Sequence, residues 1–355
     1  MSERVLTMKQ PDPADTSNTP DTPDAPDAAA TPRPRTPPLR RAARALRRPA
    51  PWRRGLVLAA LALLLGLVMA LHARVPSGIM NLGSFTETFL PWFGLCVLPL
   101  LAGALWRRSA SAVVALVLPV TVWLSLFGGL LTDKSRPGSD LTVAGHNVGA
   151  ANPDPAGTAR DLAASGADLL ALQELTDTAR PVYEAELAKT YPHHTTSGTV
   201  GLWSKLPLSA TRPVDIAMYP SRALRTTVAT ERGPLAVYVA HLGSVRVNLR
   251  AGMSTAQRDA GAEALAAAVA AEPTGRVVVL GDLNGTVDDR AFDALTGQMR
   301  SVQEEAGNGF GFSWPAGFPV ARIDQILVRG VEPRSAWLLP ATGSDHLPVA
   351  AGIAW

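Results

Sequence analysis

Apolar and polar positions divide this chain into three regions of different periodicity. Residues 1–38 are rich in Pro, Asp, Thr and Ala and show no apolar period. Such a segment buries too little apolar surface to offset the entropy of ordering, so it is expected to be disordered. Three long apolar runs follow, over residues 55–71, 89–106 and 109–131. Each is near the ~17–25 residues needed to cross a bilayer core, and the pattern predicts three transmembrane helices. Pro91, Pro99 and Pro119 fall within or beside them, which membrane helices tolerate better than soluble ones. A cleaved signal peptide is the alternative for the first run. The two further runs, and no clear small-residue cleavage site after the first, argue against it. From residue 140 onward short apolar runs alternate with amphipathic stretches, punctuated by Gly, Pro and Asn. The pattern predicts strands over 141–148, 169–173, 200–204, 225–230, 235–240, 277–281, 323–328 and 348–354. It predicts helices over 156–165, 176–189, 248–271 and 289–296. The connection between residues 230 and 235 is too short for a helical crossover. Mixed or antiparallel sheets flanked by helices follow, an α+β class.

Charge orients the apolar runs. Residues 31–54 carry nine arginines and no acid: Arg33, Arg35, Arg40, Arg41, Arg44, Arg47, Arg48, Arg53 and Arg54. A solvated basic run would explain them, but the apolar run that follows at once makes a cytoplasmic membrane flank the better explanation. The first inter-run loop has only Arg74, whereas Arg107 and Arg108 sit between the second and third runs. The positive-inside rule then puts residues 1–54 and the Arg107–Arg108 turn in the cytoplasm, and residues 140–355 outside the cell. A multi-pass plasma-membrane protein is expected, with residues 132–139 as a linker of at most ~3.5 Å per residue.

The formal net charge of +3 is unevenly spread: +5 over residues 1–54, +3 over 55–139 and −5 over 140–355. The C-terminal region lacks the basic footprint of a general nucleic-acid binder, so nucleic acid is disfavoured as a partner. Cys96 is the one cysteine. No intramolecular disulfide can form, and 216 residues can bury a core without one.

Polar residues recur where the predicted strands end: Asn147, Glu174, His241, Asp282, Asn284, Asp324, Asp345 and His346. An acid at a strand end is usually a turn former or helix cap, and a lone histidine is usually structural. As a set they gather carboxylates, an amide and imidazoles on loops of a rigid scaffold. That inventory suits a hard divalent cation that keeps waters for a phosphate substrate.

The ordered series Asn147, Gln173-Glu174, His241-Leu242, Gly281-Asp282-Leu283-Asn284, Ile323-Asp324 and Ser344-Asp345-His346 resembles the endonuclease/exonuclease/phosphatase superfamily. The resemblance covers nearly all of residues 140–355 and implies a four-layer α/β/β/α sandwich. It implies Mg²⁺, or Mn²⁺, held mainly by Glu174 with Asn147 and Asp345. It implies His346 as general base oriented by Asp324, with Asp282 and Asn284 positioning nucleophile and phosphate. His241 would donate to a phosphoryl oxygen or the leaving group. Arg225 stands where some members place a phosphate-binding arginine, although a surface arginine would look the same. Trp314 is expected in the core more than on a cleft wall. Gln325 replaces a common aromatic or histidine, which leaves the chemistry intact. His193, His194 and the glycines at 307, 309 and 311 are expected in loops.

The run layout and the stretches 83–100, 152–160 and 201–205 also resemble the teicoplanin-resistance membrane proteins. That implies glycopeptide resistance through envelope chemistry, with a lipid-linked phosphate, a polyprenyl pyrophosphate, as the substrate met at the outer leaflet. A membrane-tethered nuclease, a phosphodiesterase of the sphingomyelinase type and a non-enzymatic envelope-binding protein stand as alternatives. Metal number, oligomeric state and the role of the basic tail are left open.

Overall fold

The computed structural model describes residues 49–76, 81–248 and 252–355. Most of the expected basic tail lies outside the described residues. Residues 48–355 form one compact unit.

The apolar runs form helices α1 (Leu56–Ala70), α2 (Leu82–Thr88), α3 (Val97–Trp106), α4 (Ala110–Ala115) and α5 (Val117–Phe127), with 3₁₀ turns between some of them. Small residues pack inside: Ala59, Ala62, Gly66, Ala104, Ala112 and Ala115 are buried. A side chain at Gly66 would collide with Leu118. Large apolar residues such as Leu56, Val57, Leu98, Leu105 and Val117 point outward and are exposed. Among the described residues, three helices each long enough to cross a membrane, as the pattern leads one to expect, are not shown. One helix, Ala110–Leu131, is by itself long and apolar enough to cross a membrane. Leu82–Thr88 and Leu90–Trp106 meet that test only together, with a 76° bend between them, and Leu56–Ala70 falls short alone. Glu87 marks the bend: it is turned toward the C-terminal domain, where its carboxylate meets Arg290 at 2.8 Å.

The domain that follows is built from β1 (Leu141–Asn147), α6 (Pro155–Ala164), β2 (Leu169–Gln173), α7 (Arg180–Leu187), β3 (His193–Ser197), β4 (Val200–Ser204), β5 (Leu208–Pro213), β6 (Ala223–Thr230) and β7 (Gly233–His241). Next come β8 (Arg246–Asn248), β9 (Gly252–Ser254), α8 (Ala256–Ala270), β10 (Val277–Asp282), α9 (Asp293–Thr296), β11 (Arg300–Ser301), α10 (Val302–Ala306), β12 (Asp324–Arg329), β13 (Glu332–Leu338) and β14 (Val349–Ala354). They make two six-stranded mixed sheets, in the orders β13-β14-β1-β2-β4-β3 and β11-β12-β10-β7-β6-β5.

Period-two alternation sorts the residues into layers. Along β7, Leu235, Val237 and Val239 face the inter-sheet core with Val143, Val278 and Leu280. The intervening Ala236, Tyr238 and Ala240 face Leu265 and Val269 of α8. On the other sheet, Ala144, Leu170 and Leu172 pack on Leu162 of α6 and on Tyr183 and Leu187 of α7. Both faces of the central strands are thus covered, which is why they read as continuous apolar runs. The expected α/β/β/α layering is present.

Several boundaries differ from the sequence expectation. The helix expected over 248–271 begins at Ala256, because Gly252 and Ser254, poor helix formers, pair with Arg246 and Asn248 in a two-stranded ribbon. Residues 249–251 lie outside the described residues. His193 and His194 are not loop residues. They open β3 and pair with Ser204 and Trp203, and the His194 ring stacks on Trp203 at 5.8 Å.

The linker does not hang free. Arg136 N–H donates to Arg334 O at 2.6 Å and Asp140 N–H to Ile353 O at 2.8 Å. The helices also dock on the domain. The Trp92 indole N–H donates to Val320 O at 2.7 Å, and its ring stacks on Phe312 at 5.5 Å. Phe310 sits against Trp123 and Phe127.

Candidate active site

Strand register brings the polar series together. Asn147 lies opposite Gln173, and Asp282 lies between His241 and Asp324. Each sheet therefore delivers its polar residues at one end of its central strands. Asn147 spans the two sheets, its amide donating to Asp282 Oδ2 at 2.9 Å. The other Asp282 oxygen accepts the Asn284 N–H at 2.9 Å. Glu174 and Asn284 have φ of 60° and 51°. Asparagine enters the left-handed region readily and glutamate does not, so the strain at Glu174 marks a residue held in place by its surroundings.

A chain of hydrogen bonds orients His346. Its Nδ1 lies 2.8 Å from Asp324 Oδ2, which also accepts the Ser313 hydroxyl at 2.6 Å. Its backbone N–H donates to Ser344 Oγ at 3.1 Å, and that hydroxyl donates to Asn147 O at 2.6 Å. The far ring nitrogen, Nε2, is 3.8 Å from Asp282 Oδ2. Burial lowers the His346 pKa, but Asp324, Asp282 and Asp345 outweigh it and push it up to about 9. His241 goes the other way. Burial holds it down against the opposing pull of Asp282 and Glu174, at 3.6 and 3.7 Å.

Glu174 is half-buried, its side chain 29 % exposed. Burial raises its pKa, yet the Ala150 N–H bond at 2.8 Å, the Asn147 amide and the nearby histidines bring it below its ordinary value. Asp345 is exposed, and its Oδ2 accepts the Trp314 indole N–H at 3.3 Å. Trp314 is therefore part of the rim and not of the core.

The structure does not bring Arg225 to this cluster. It projects from β6 to the outer face, buried in a two-pronged pair with Glu272 at 2.8 and 2.9 Å. The arginine beside the site is Arg222, which the strand pattern passed over. Its carbonyl accepts the His241 N–H at 2.8 Å, and its Nε is buried with no partner among the described residues. Its charge opposes protonation of His241. His146 was also missed. Its Nε2 is 2.9 Å from Thr342 Oγ1, and burial lowers its pKa to about 3, so it serves as a neutral prop. Gln325 is buried, donating to Arg322 O at 2.7 Å, and so makes no rim contact.

The donor set fits a hard cation. Asp282, Asp324 and His346 offer ligand atoms within 4.8 Å of one another, but Asp324 is committed to His346 and Ser313. Glu174, with Asn147 beside it, is partly open to solvent, and an oxygen donor of this kind suits Mg²⁺ or Mn²⁺. Buried polar atoms point to an absent ligand as well: both His241 ring nitrogens and Asp324 Oδ1 have no hydrogen-bond partner among the described residues.

Fold and site together define a hydrolase of the phosphoesterase type. The chain belongs to the Endonuclease/Exonuclease/phosphatase family, whose model matches residues 144–346. Among solved structures, a mannosyl-6-phosphatase from Bacteroides thetaiotaomicron is 15% identical with TM-score 0.51. That match covers 61% of this chain and 100% of that one. D. rerio TDP2, solved with a single-strand DNA product, is 19% identical with TM-score 0.52, covering 61% and 99%. A functionally unknown conserved protein from Enterococcus faecalis V583 is 15% identical with TM-score 0.51, covering 60% and 99%. At these identities the likeness is one of fold. No curated protein sequence matches the chain.

Proposed function

We propose that this protein is a membrane-anchored, extracellular, Mg²⁺-dependent phosphoesterase acting on a lipid-linked pyrophosphate. The observation that carries this reading is the joining of a hydrolytic site to helices that are inside out for water. Their small residues pack inward and their leucines and valines face out. In a bilayer that arrangement is stable, because small residues let helices approach and lipid solvates the rest. In water it would be a large exposed apolar patch. The basic residues flanking the first run and at Arg107–Arg108 favour an external domain. The resemblance to the teicoplanin-resistance membrane protein VanJ suggests that the substrate is a polyprenyl pyrophosphate and the outcome glycopeptide resistance.

The residues divide the work as follows. Glu174, with Asn147 and Asp345 as further donors, would hold the cation, which when bound neutralises charge on the phosphoryl oxygens. With a cation held at Glu174, its positive charge would offset the aspartates that keep His346 protonated, so that His346 Nε2 could take the proton of the attacking water as the water oxygen bonds to phosphorus and the bond to the leaving oxygen breaks. Asp324 fixes the tautomer that leaves Nε2 free and steadies the imidazolium that results. Asp282 and Asn284 orient the water and the phosphate. His241 and Arg222 face the phosphoryl oxygens with donors that have no other partner.

The test is turnover by the full-length chain in micelles, read as released phosphate for polyprenyl pyrophosphate and inositol phosphates, as released phosphocholine for sphingomyelin and as strand cleavage for DNA. Each is run with Mg²⁺ and with chelator. Release from polyprenyl pyrophosphate that requires Mg²⁺ is expected, reduced roughly a hundredfold or more in Glu174→Ala and His346→Ala. Full activity in those variants would sink the mechanism. Turnover of DNA or sphingomyelin in place of the pyrophosphate would overturn the substrate.

A further inference from the structure

The loop that carries Asn284 does not end in solvent. It runs from Asp282 to Arg290 between α8 and the N-terminal helix α2. Ser84 of α2 donates its hydroxyl to Asp289 Oδ2 at 2.8 Å. The same carboxylate oxygen meets Arg258 Nη1 of α8 at 2.7 Å, and Arg258 Nη2 donates to Ser84 Oγ at 3.2 Å. Ser84, Arg258 and Asp289 are all buried. Arg258 Nη1 also reaches Asn284 O at 3.5 Å, and its guanidinium lies over the Phe292 ring at 5.5 Å.

One turn further along α2, Glu87 is fully buried. Its carboxylate pairs with Arg290, whose Nη2 donates to Val75 O at 2.8 Å. The Thr286 hydroxyl donates to Glu87 O at 3.4 Å. Three residues of the loop and its end, Thr286, Asp289 and Arg290, are thus held by a segment some two hundred positions earlier in the chain, and Asn284 is reached through Arg258, which Ser84 and Asp289 hold in turn. Buried charges are costly unless paired. Polar side chains of α2 would be retained here for placement more than for adhesion, since apolar packing at Trp92 and Phe310 already supplies the docking.

We infer that α2 is a positioning element of the active site. Ser84 and Glu87 hold the loop over residues 283–290 against α8 and so fix Asn284 beside Asp282. The inference rests on the phosphoesterase reading for its kinetic consequence, and not on the identity of the lipid. Positioning residues act through the group they place, and a displacement of about 1 Å at a reacting centre can cost a hundredfold in rate.

The experiment uses the full chain in micelles with Mg²⁺ and p-nitrophenyl phosphate, a soluble monoester probe with a terminal phosphoryl group that needs no membrane access. Ser84→Ala and Glu87→Gln are expected to lower kcat roughly tenfold or more with KM little changed. Ser84→Thr, which keeps the hydroxyl, should restore most of it. Hydrogen exchange is measured on the same samples, and the amides of residues 283–289 should exchange faster in the two variants. The inference is overturned if kcat stays within twofold of wild type, if it falls only in proportion to the folded fraction, or if exchange is unchanged. A wild type inactive on the probe counts against the phosphoesterase reading, and exchange alone then decides the role of α2.

Discussion

Two imidazoles share this site and their neighbours drive them in opposite directions. His346 is flanked by Asp324, Asp282 and Asp345, which favour its charged form. His241 is buried deeply enough that the same kind of neighbour does not win, and its pKa is lowered. The pair is thereby divided into one imidazole whose neighbours favour its charged form, with a carboxylate behind it, and one that burial biases toward the neutral form. This division was legible in the sequence only as an ordered series of residues at strand ends, because His241 follows an apolar run and His346 precedes one. The arginine was not. Ser221-Arg222-Ala223-Leu224-Arg225 offers two candidates three positions apart, and only the face of β6 decides between them. Arg225 shares a face with Tyr238, Thr227 and Glu272 beneath α8, whereas Arg222 precedes the strand beside His241. Arg222→Ala is therefore expected to reduce kcat/KM roughly tenfold to a hundredfold, the range for loss of a charged contact to a phosphate. Its melting temperature should hardly move. Arg225→Ala should do the reverse and lose roughly 3–5 kcal/mol, because Glu272 is left buried and unpaired. Initial rates and denaturant melts on the two variants separate these outcomes. Equal kinetic losses would return Arg225 to the site.

At the scale of elements, that same pair joins layers. Arg225 of β6 and Tyr238 of β7 both bind Glu272, which follows α8, so the clamp ties sheet to helix. Burial raises the Glu272 pKa, but bonds from Arg225, Thr274 and Tyr238 outweigh it and bring it to about 2, from 4.5. A depressed folded-state value stabilises the native form above the unfolded value and is lost as pH falls through the folded one. The contribution, on the order of 3 kcal/mol, is complete above about pH 4.5 and disappears toward pH 2. Unfolding free energies measured across that window should show it, and Glu272→Gln should flatten the slope there. The elements that escaped the hydrophobic pattern have a common cause. β3, β5 and β13 are edge or near-edge strands whose residues are largely half-exposed, such as Thr195, Ser209 and Ser335. Their strand character comes from pairing, which a single segment does not display. The central strands, covered on both faces, needed no partner to be recognised.

For the molecule as a whole, helices and hydrolase form one body. The apolar pattern suggested a cut near residue 140, because the residues that dock the two parts read separately as membrane helix and loop. In the fold, Phe310 and Phe312 lie against Trp92, Trp123 and Phe127, and Asp289 and Arg290 find their partners on α2. A fragment of residues 140–355 would expose those rings, deprive the buried Asp289 of the Ser84 hydroxyl and leave Arg290 without Glu87. It is expected to melt several degrees below the full chain, with ~1 kcal/mol moving a domain of this size by about 2–4 °C. It should also self-associate on size-exclusion chromatography. A monomeric fragment with unchanged melting and kcat would refute the single-body view. The sheet order has a consequence in time as well as in space. β14, which pairs with β1 and β13, lies between them and immediately follows His346. Sheet closure therefore joins strands separated by some two hundred residues, the kind of distant pairing that slows folding. While the ribosome is still making this domain, β1 has one side without its neighbour and Asn147 has no Ser344 to hold it. Hydrolytic competence would then arrive only with the final strand, so that a half-made chain has no working site.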